Sequence, residues 1–389
     1  MNDINIPIVV VTYNREKSLE RLLESLSKAY YDNESIELII SIDKSNNAKI
    51  YKIADEFDWK FGKKNVIKHD NNLGLRKHIL KCGDLTSEND AVIILEDDLV
   101  VSRSFYKFAK QSYQYYKNEE SIAGISLYTY KVNEFSNLRP FIPLQDECDV
   151  YFAMVPSSWG QMWTRNQWIK FRSWYGNGDK DLNDFRGLAP DEVLTWKESS
   201  WKKFFHFYLA DQKKYFVYPR IALSTNMGDK GTNNIINSNA HQSLLMGDFR
   251  RDFIFKKLED STSVKYDAFF ENQNIIEKLY KYSNEIDIDY YGTKEKYYKS
   301  GYCLSVNRLN YEIVAKWGLE LVPYENNIEY GISGEGIFLY DLTKPYKVNK
   351  KSRTVSLIKY ENPSMTKKKA LRLCLSGYTE AIIRRLKLR

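Results

Sequence analysis

The chain is short of cysteine, of long apolar runs and of glycine-rich phosphate loops, and each shortage removes a class of protein. Cysteine occurs only at positions 82, 148, 303 and 374. That scatter gives neither paired metal-ligand spacing nor a dense disulfide framework, and it fits a reducing compartment. No apolar stretch approaches the ~18 residues of a membrane span. The start, Met1 to Pro7, has no basic segment leading into an apolar one, so no secretory signal is expected. No turn carries G-x-G-x-x-G or G-x-x-x-x-G-K-[ST], so neither a dinucleotide fold nor a P-loop ATPase is indicated. No internal repeat is visible.

What is present suits a sizeable globular protein, with two domains expected. The 389 residues exceed one average domain and 43% are hydrophobic, enough for a real core. Aromatic residues make up 15%, with 30 Tyr. Sugar-binding surfaces use such side chains, but an AT-rich genome also inflates Tyr, Lys, Asn and Ile, and that compositional explanation carries more weight. The net charge of +7 is unevenly placed. Residues 347–389 hold 13 Lys and Arg against Glu361 and Glu380, whereas the rest has 45 basic against 49 acidic residues.

The stretch Ala91–Leu95 is continuously apolar, as suits a strand covered on both faces. Glu96, Asp97 and Asp98 follow at once. Burying adjacent carboxylates is costly, and they repel one another. A hard divalent cation carrying a phosphate would meet them; alternatively they face water in a turn before a helix that Ser102 or Ser104 starts. Ile6–Thr12 is another apolar strand, followed by the polar turn Tyr13-Asn-Arg15 and a helix that Ser18 is expected to cap. Ile36–Ile42 is the second strand and ends in Asp43. A helix over 48–57, a short strand at Val66-Ile67 and a helix around 76–81 complete an alternating pattern, which predicts a parallel sheet with helices on both faces. Ligands of such sheets lie outside the carboxyl ends of the strands. That rule puts Thr12–Arg15, Asp43 and Glu96–Asp98 on one rim. Taken singly, Arg15 also reads as an exposed turn residue and Asp43 as a helix cap.

The stretches Ile6–Arg15, Leu38–Asp43 and Val92–Val101 with Phe105 resemble a GT-A glycosyltransferase, nearest to N-acetylglucosaminyltransferase I and to bacterial family 2-like enzymes of surface-polysaccharide synthesis. The resemblance covers roughly residues 5–240 and rests most on the acidic, DXD-like motif. It implies an α/β, Rossmann-like GT-A fold with a mostly parallel sheet. It also implies roles. Thr12 lies beside the base and Asp43 accepts from the uracil. Arg15 faces the diphosphate, Glu96 and Asp97 contact ribose and donor sugar, and Asp98 ligates Mn2+ or Mg2+. The partners implied are a UDP-sugar donor and a glycan or lipid-linked oligosaccharide acceptor. A sugar nucleotidyltransferase is the alternative enzyme, but its glycine-rich basic loop after the first strand is absent.

Transfer with inversion needs a base for the acceptor hydroxyl proton. In the resembling enzyme an aspartate lies in a Trp-Asp-Asp-Trp segment; counting back from Pro219 gives Trp201-Lys-Lys-Phe204 here. Lys202 and Lys203 replace the acids, and a protonated Lys is no base. This departure leaves open a degenerate, non-catalytic protein that binds donor or a partner. The candidate bases are Asp191, slightly preferred, and Glu192, at an expected helix start, then Asp229 in the loop Asn226–Thr232, which is expected to order over bound donor. His206 and His241 stand alone, without metal-ligand spacing. Trp163 and Trp168 are expected in the core.

The expected organisation is a catalytic domain over 1–250, an accessory α+β domain over 251–345 with a polar helix at 270–284, and a basic tail over 346–389. In the tail Leu371, Cys374, Leu375, Tyr378, Ile382 and Leu386 recur at helical spacing among Lys and Arg, the pattern of a helix on an anionic membrane. A cytoplasmic protein at the inner membrane face is expected. Nucleic acid is not, because no recognised fold for it accompanies the charge.

Overall fold

Alternate residues of the first strand serve two different cores. In β1 (Ile8–Thr12), Ile8 and Val10 pack with Leu19, Leu22, Leu23 and Leu26 of helix α1 (Glu16–Ser27). Val9 and Val11 join a second cluster on the other face, with Ile79, Trp163 and Trp168. A strand lined by apolar groups on both sides has to be covered on both sides, which is why its sequence shows no alternation. Each such Val, Ile or Leu contributes about 1.5–3 kcal/mol by its burial.

The computed structural model describes residues 4–32, 34–176, 178–229, 239–248, 251–347, 354–366, 368–372 and 375. Strands β3 (Lys64–Lys68), β2 (Leu38–Ile42), β1 and β4 (Ala91–Glu96) lie side by side and parallel. Beyond β4 the sheet turns mixed: Gln161–Thr164 runs antiparallel to β4, then come Ile122–Ser126, Tyr215–Pro219, Val150–Ala153 and Lys265–Tyr266. Helices α2 (Ala48–Glu56) and α3 (Gly74–Asp84) complete the crossovers between parallel strands. The expected α/β class, a mostly parallel sheet flanked by helices with a smaller accessory sheet, is what the chain adopts.

Three local expectations need correction or sharpening. Helix α1 begins at Glu16 rather than at Ser18, because the Leu19 amide already donates to the Arg15 carbonyl at 3.0 Å. Ser18 is left free to bond Asp229. The expected helix over 270–284 is only a 3-10 turn, Asn274–Leu279. There the amides of Lys265 and Asn274 donate to the side chains of Asn274 and Asn272, and Asp267 takes the amides of Phe269 and Glu271. Asn and Asp thus offer the backbone a local alternative to a helix. Trp163 and Trp168 do lie in the core, ring centroids 4.6 Å apart.

The accessory sheet has the order Asp287–Asp289, Tyr302–Ser305, Ile337–Pro345, Tyr311–Trp317. Its longest strands are antiparallel. Among the described residues no helix is long and apolar enough to cross a membrane. In the tail, Leu371 and Leu375 are exposed. Cys374, Tyr378, Ile382 and Leu386 lie outside the described residues.

Candidate active site

Register alone brings the acids together. In the parallel pair β1–β4, Val11 stands opposite Glu96. The Asp97 amide donates to the Val11 carbonyl at 3.1 Å, and the Asp43 amide donates to Thr12 at 3.0 Å. The carboxyl ends of β4, β1 and β2 are therefore level, and three polar strand ends share one crevice. This crevice is a cavity of about 770 Å³ lined by Thr12, Arg15, Asp43, Glu96, Asp97 and Asp98 among others. It has the size of an ordinary ligand pocket, about 300–1,000 Å³.

Inside it, Arg15 is no exposed turn residue. Its Nη1 donates to Asp98 Oδ2 at 2.8 Å and its Nη2 pairs with Asp97. The Thr12 hydroxyl donates to Asp97 Oδ2 at 2.7 Å. The Asp43 carboxylate accepts from the amides of Lys44 at 2.8 Å, Leu73 at 2.8 Å and Gly74 at 3.0 Å. It therefore seats the start of α3, as a cap would, while still facing the cavity. Capping the start of α3 does not remove Asp43 from the cavity lining.

Charge is badly balanced here. Asp43, Glu96, Asp97, Asp98, Glu134 and Glu192 line the cavity against Arg15 and Lys202. Burial pushes the Asp97 carboxyl up to about 6, opposed by Arg15 and assisted by Asp98. Burial, then Asp98, raises Glu96 as well. Burial works against the Arg15 charge, but Asp97 and Asp98 outweigh it and hold the guanidinium above its ordinary range. Two buried oxygens, Asp97 Oδ1 and Asp98 Oδ1, make no hydrogen bond; the first is ion-paired with Arg15, and the second has no ion pair either. An acidic hollow with an unpartnered carboxylate oxygen fits a divalent cation. Among the described residues, however, no group of three or more His, Cys, Asp and Glu could hold such an ion by itself. The donor set suits Mg2+ or Mn2+ bound through a carboxylate together with substrate phosphates, not a closed protein cage.

The other side of the cavity holds what the sequence hid. Lys202 is 8% exposed, and its Nζ donates to Glu134 at 2.6 Å and to the Tyr130 hydroxyl at 3.1 Å. It lies 5.3 Å from the ring centroids of both Trp159 and Trp196. Lys203 is occupied elsewhere, with the Trp196 carbonyl at 3.1 Å and Glu198 at 2.7 Å. Glu134 sits in a segment with no motif, so nothing in the sequence marks it. Trp159 is placed over the cavity by Gly160, whose φ of +92° suits glycine and where a Cβ would meet Ser224 Oγ at 2.7 Å.

The candidate bases separate. Glu192 lines the cavity, and partial burial followed by the Glu134 charge raises its pKa. Asp191 is not among the lining residues; its Oδ1 accepts from the Tyr297 hydroxyl at 2.6 Å. Neighbouring positions on a helical turn point about 100° apart, so of the two only Glu192 is among the lining residues. Asp229 is held by Ser18 at 2.7 Å and by Arg21, away from the lining. His206 is fully buried with Nε2 3.3 Å from the Ala268 carbonyl, and burial pushes it down to about 3. His241 does line the cavity, tilted on Trp159 at 4.8 Å between ring centroids.

The family model for Glycosyl transferase family 2 matches residues 8–164, from the first residue of β1 to the strand beside β4. No curated protein matches the chain. Among solved structures, S. aureus TarS 1-349 in complex with UDP-GlcNAc is 12% identical over 59% of this chain and 60% of its own, with a TM-score of 0.37. GalNAc-T7 with UDP, GalNAc and Mn2+ is 13% identical over 57% and 43% of the two chains, TM-score 0.39. A cytidylyltransferase from Leptospira borgpetersenii serovar Hardjo-bovis is 14% identical over 55% and 75%, TM-score 0.31. The chain thus spans about 60% of the TarS 1-349 structure, and likenesses this slight carry no argument about function. What the family match and the strand order support together is a GT-A, family 2-like glycosyltransferase fold in the first part of the chain.

Proposed function

We propose that the protein transfers a sugar from a UDP-sugar to a glycan or lipid-linked oligosaccharide, in bacterial surface-polysaccharide synthesis at the inner membrane face. One observation carries the reading. Three distant strand ends deliver Thr12 and Arg15, Asp43, and Glu96–Asp98 to one cavity, where Asp98 keeps a buried oxygen without a partner. The family match agrees with it.

In this reading the acceptor oxygen forms its bond to the anomeric carbon while the bond from that carbon to the phosphate oxygen breaks. UDP leaves with growing negative charge. Asp98 would hold a divalent cation, Mn2+ or Mg2+, and such an ion would supply positive charge beside the departing diphosphate. Arg15 exchanges part of its pairing with Asp97 and Asp98 for phosphate oxygens, a geometry that guanidinium suits. Asp43 Oδ2 is offered to the uracil, Thr12 lies beside the base, and Glu96 and Asp97 to ribose and sugar. Glu192 takes the acceptor hydroxyl proton, helped by its raised pKa. Glu192→Gln is therefore expected to lower kcat about 10²–10⁴-fold, while donor binding, followed by fluorescence titration with UDP, stays within about twofold. Unchanged turnover would remove Glu192 from the mechanism.

A second reading has one observation in its favour. The Lys202–Glu134 pair occupies the region where an acid was expected, as a non-catalytic donor-binding protein would tolerate. Assaying UDP release from a panel of UDP-sugars with Mn2+ and cell-derived acceptors separates the two: turnover supports the enzyme, and binding without turnover supports the second.

The basic tail is proposed to bring the protein to anionic lipid, each Lys or Arg near the surface contributing about 1 kcal/mol. Removing residues 364–389 is expected to release the protein from membranes prepared at low salt. A truncated form that still sediments with them rules the tail out as the anchor.

A further inference from the structure

A second, smaller cavity opens between the catalytic sheet and the accessory region. Its volume is about 200 Å³. Cavities of about 150 Å³ admit a benzene ring, so this one is sized for a single six-membered ring with substituents. Its walls are rings: Phe141 and Phe270 from one side, Tyr290, Tyr291 and Tyr324 from the other, closed by Tyr360 of the helix Thr354–Glu361. Tyr290 and Tyr324 are stacked, centroids 5.2 Å apart and planes within 10°.

Two polar groups in this aromatic lining have no partner. The Tyr290 hydroxyl and Glu325 Oε2 are buried and make no hydrogen bond, with residue exposures of 1% and 5%. Leaving such groups unsatisfied is costly. By contrast two other lining residues are paired: Arg139, just outside the lining, donates from Nε to Glu361 at 2.6 Å and from Nη2 to the Tyr324 hydroxyl at 2.7 Å.

We infer that this cavity is a subsite for one neutral sugar ring, bound by its CH faces on the aromatic walls and by its hydroxyls on Glu325 Oε2 and the Tyr290 hydroxyl. A purely apolar ring would fill the space but leave both polar groups unsatisfied. An anionic ring would meet the Glu325 carboxyl and the negative faces of the aromatic rings. The cavity is close to the active site: Phe270 lies 5.9 Å, centroid to centroid, from Phe135, which lines the larger cavity. A glycan acceptor could therefore place its reacting end in one and another unit in the other. That last step rests on the glycosyltransferase reading; the binding of a free ring does not.

The test is saturation-transfer NMR on the full chain with methyl glycosides of glucose, galactose, mannose and N-acetylglucosamine, and cyclohexanol, a ring with a single hydroxyl, as the control. At least one glycoside is expected to bind, at millimolar affinity and better than cyclohexanol. Tyr290→Phe and Glu325→Gln are each expected to weaken it about fivefold to tenfold, with the melting curve showing a folded protein and acceptor-free UDP release unchanged. Binding of cyclohexanol alone, of no ring at all, or of a glycoside equally well by both variants overturns the subsite. UDP release that persists while glycosides fail to bind would sink this inference and leave the proposed function standing. The reverse result would do the opposite.

Discussion

Asp98→Ala is expected to reduce metal-supported UDP release at least about 10³-fold without unfolding the protein. The two halves of this expectation have separate causes. Asp98 supplies the one buried carboxylate oxygen in the cluster that nothing else engages, so its loss removes the group proposed to hold the cation. The fold tolerates the change because Asp98 is one of three neighbouring acids in a crowded, partly buried cluster. Removing it relieves repulsion on Glu96 and Asp97, and Arg15 keeps Asp97 as a partner. Thermal unfolding should therefore be unchanged or slightly later. Measuring UDP release against Mn2+ concentration gives the answer directly. A variant that keeps its metal-dependent turnover refutes the assigned role, and one that melts early shows that Asp98 is structural instead.

Lys202→Met is expected to cost about 3–5 kcal/mol of stability, and adding Glu134→Gln to it should recover most of that loss. The reason is asymmetry. A buried ion pair contributes little over an apolar replacement, but removing Lys202 leaves Glu134 charged without a counter-ion, with the Tyr130 hydroxyl at 3.1 Å as its remaining donor among the described residues. Lys202 gives Glu134 its only ion pair among the described residues, and the surrounding rings of Trp159, Trp196 and Tyr130 offer Glu134 no second cation. Denaturant unfolding of both single variants and the double variant forms the cycle. A coupling energy near zero would mean that the pair is incidental, and that Lys202 is available for some other duty in the cavity.

The sequence carried the floor of the site much better than its far wall. The strands β1, β2 and β4 announce themselves as unbroken apolar runs, and once they are parallel, placing Thr12, Asp43 and Glu96–Asp98 on one edge follows from the rule about strand ends. The wall opposite is built otherwise. Glu134 reaches Lys202 across 68 positions, from a stretch with neither periodicity nor motif, so no local pattern could announce the pair. The two lysines at 202 and 203 read as the loss of a base; the fold reveals Lys202 as the counter-ion of Glu134, an acid that no motif marks. Which of Asp191 and Glu192 lines the cavity was not legible for a simpler reason. Adjacent residues in a short helix diverge in direction, and only coordinates say which faces the hollow. The helix expected at 270–284 failed because Asn and Asp side chains there capture backbone amides, a contest whose outcome depends on neighbours that a single sequence does not reveal.

The acidic turn and the segment after Asn226 are joined by backbone. The Met227 amide donates to the Asp98 carbonyl at 2.9 Å, and Ser224–Asn226 pairs antiparallel with Leu99–Val101. Two residues further on, Asp229 is clasped by Ser18 and Arg21 of the helix that begins beside Arg15. Both ends of this short span are thus moored to the parts that would grip a diphosphate. Any pull on it is transmitted to the grip, so an altered side chain there should register as a change in nucleotide affinity well before it registers as a loss of folding.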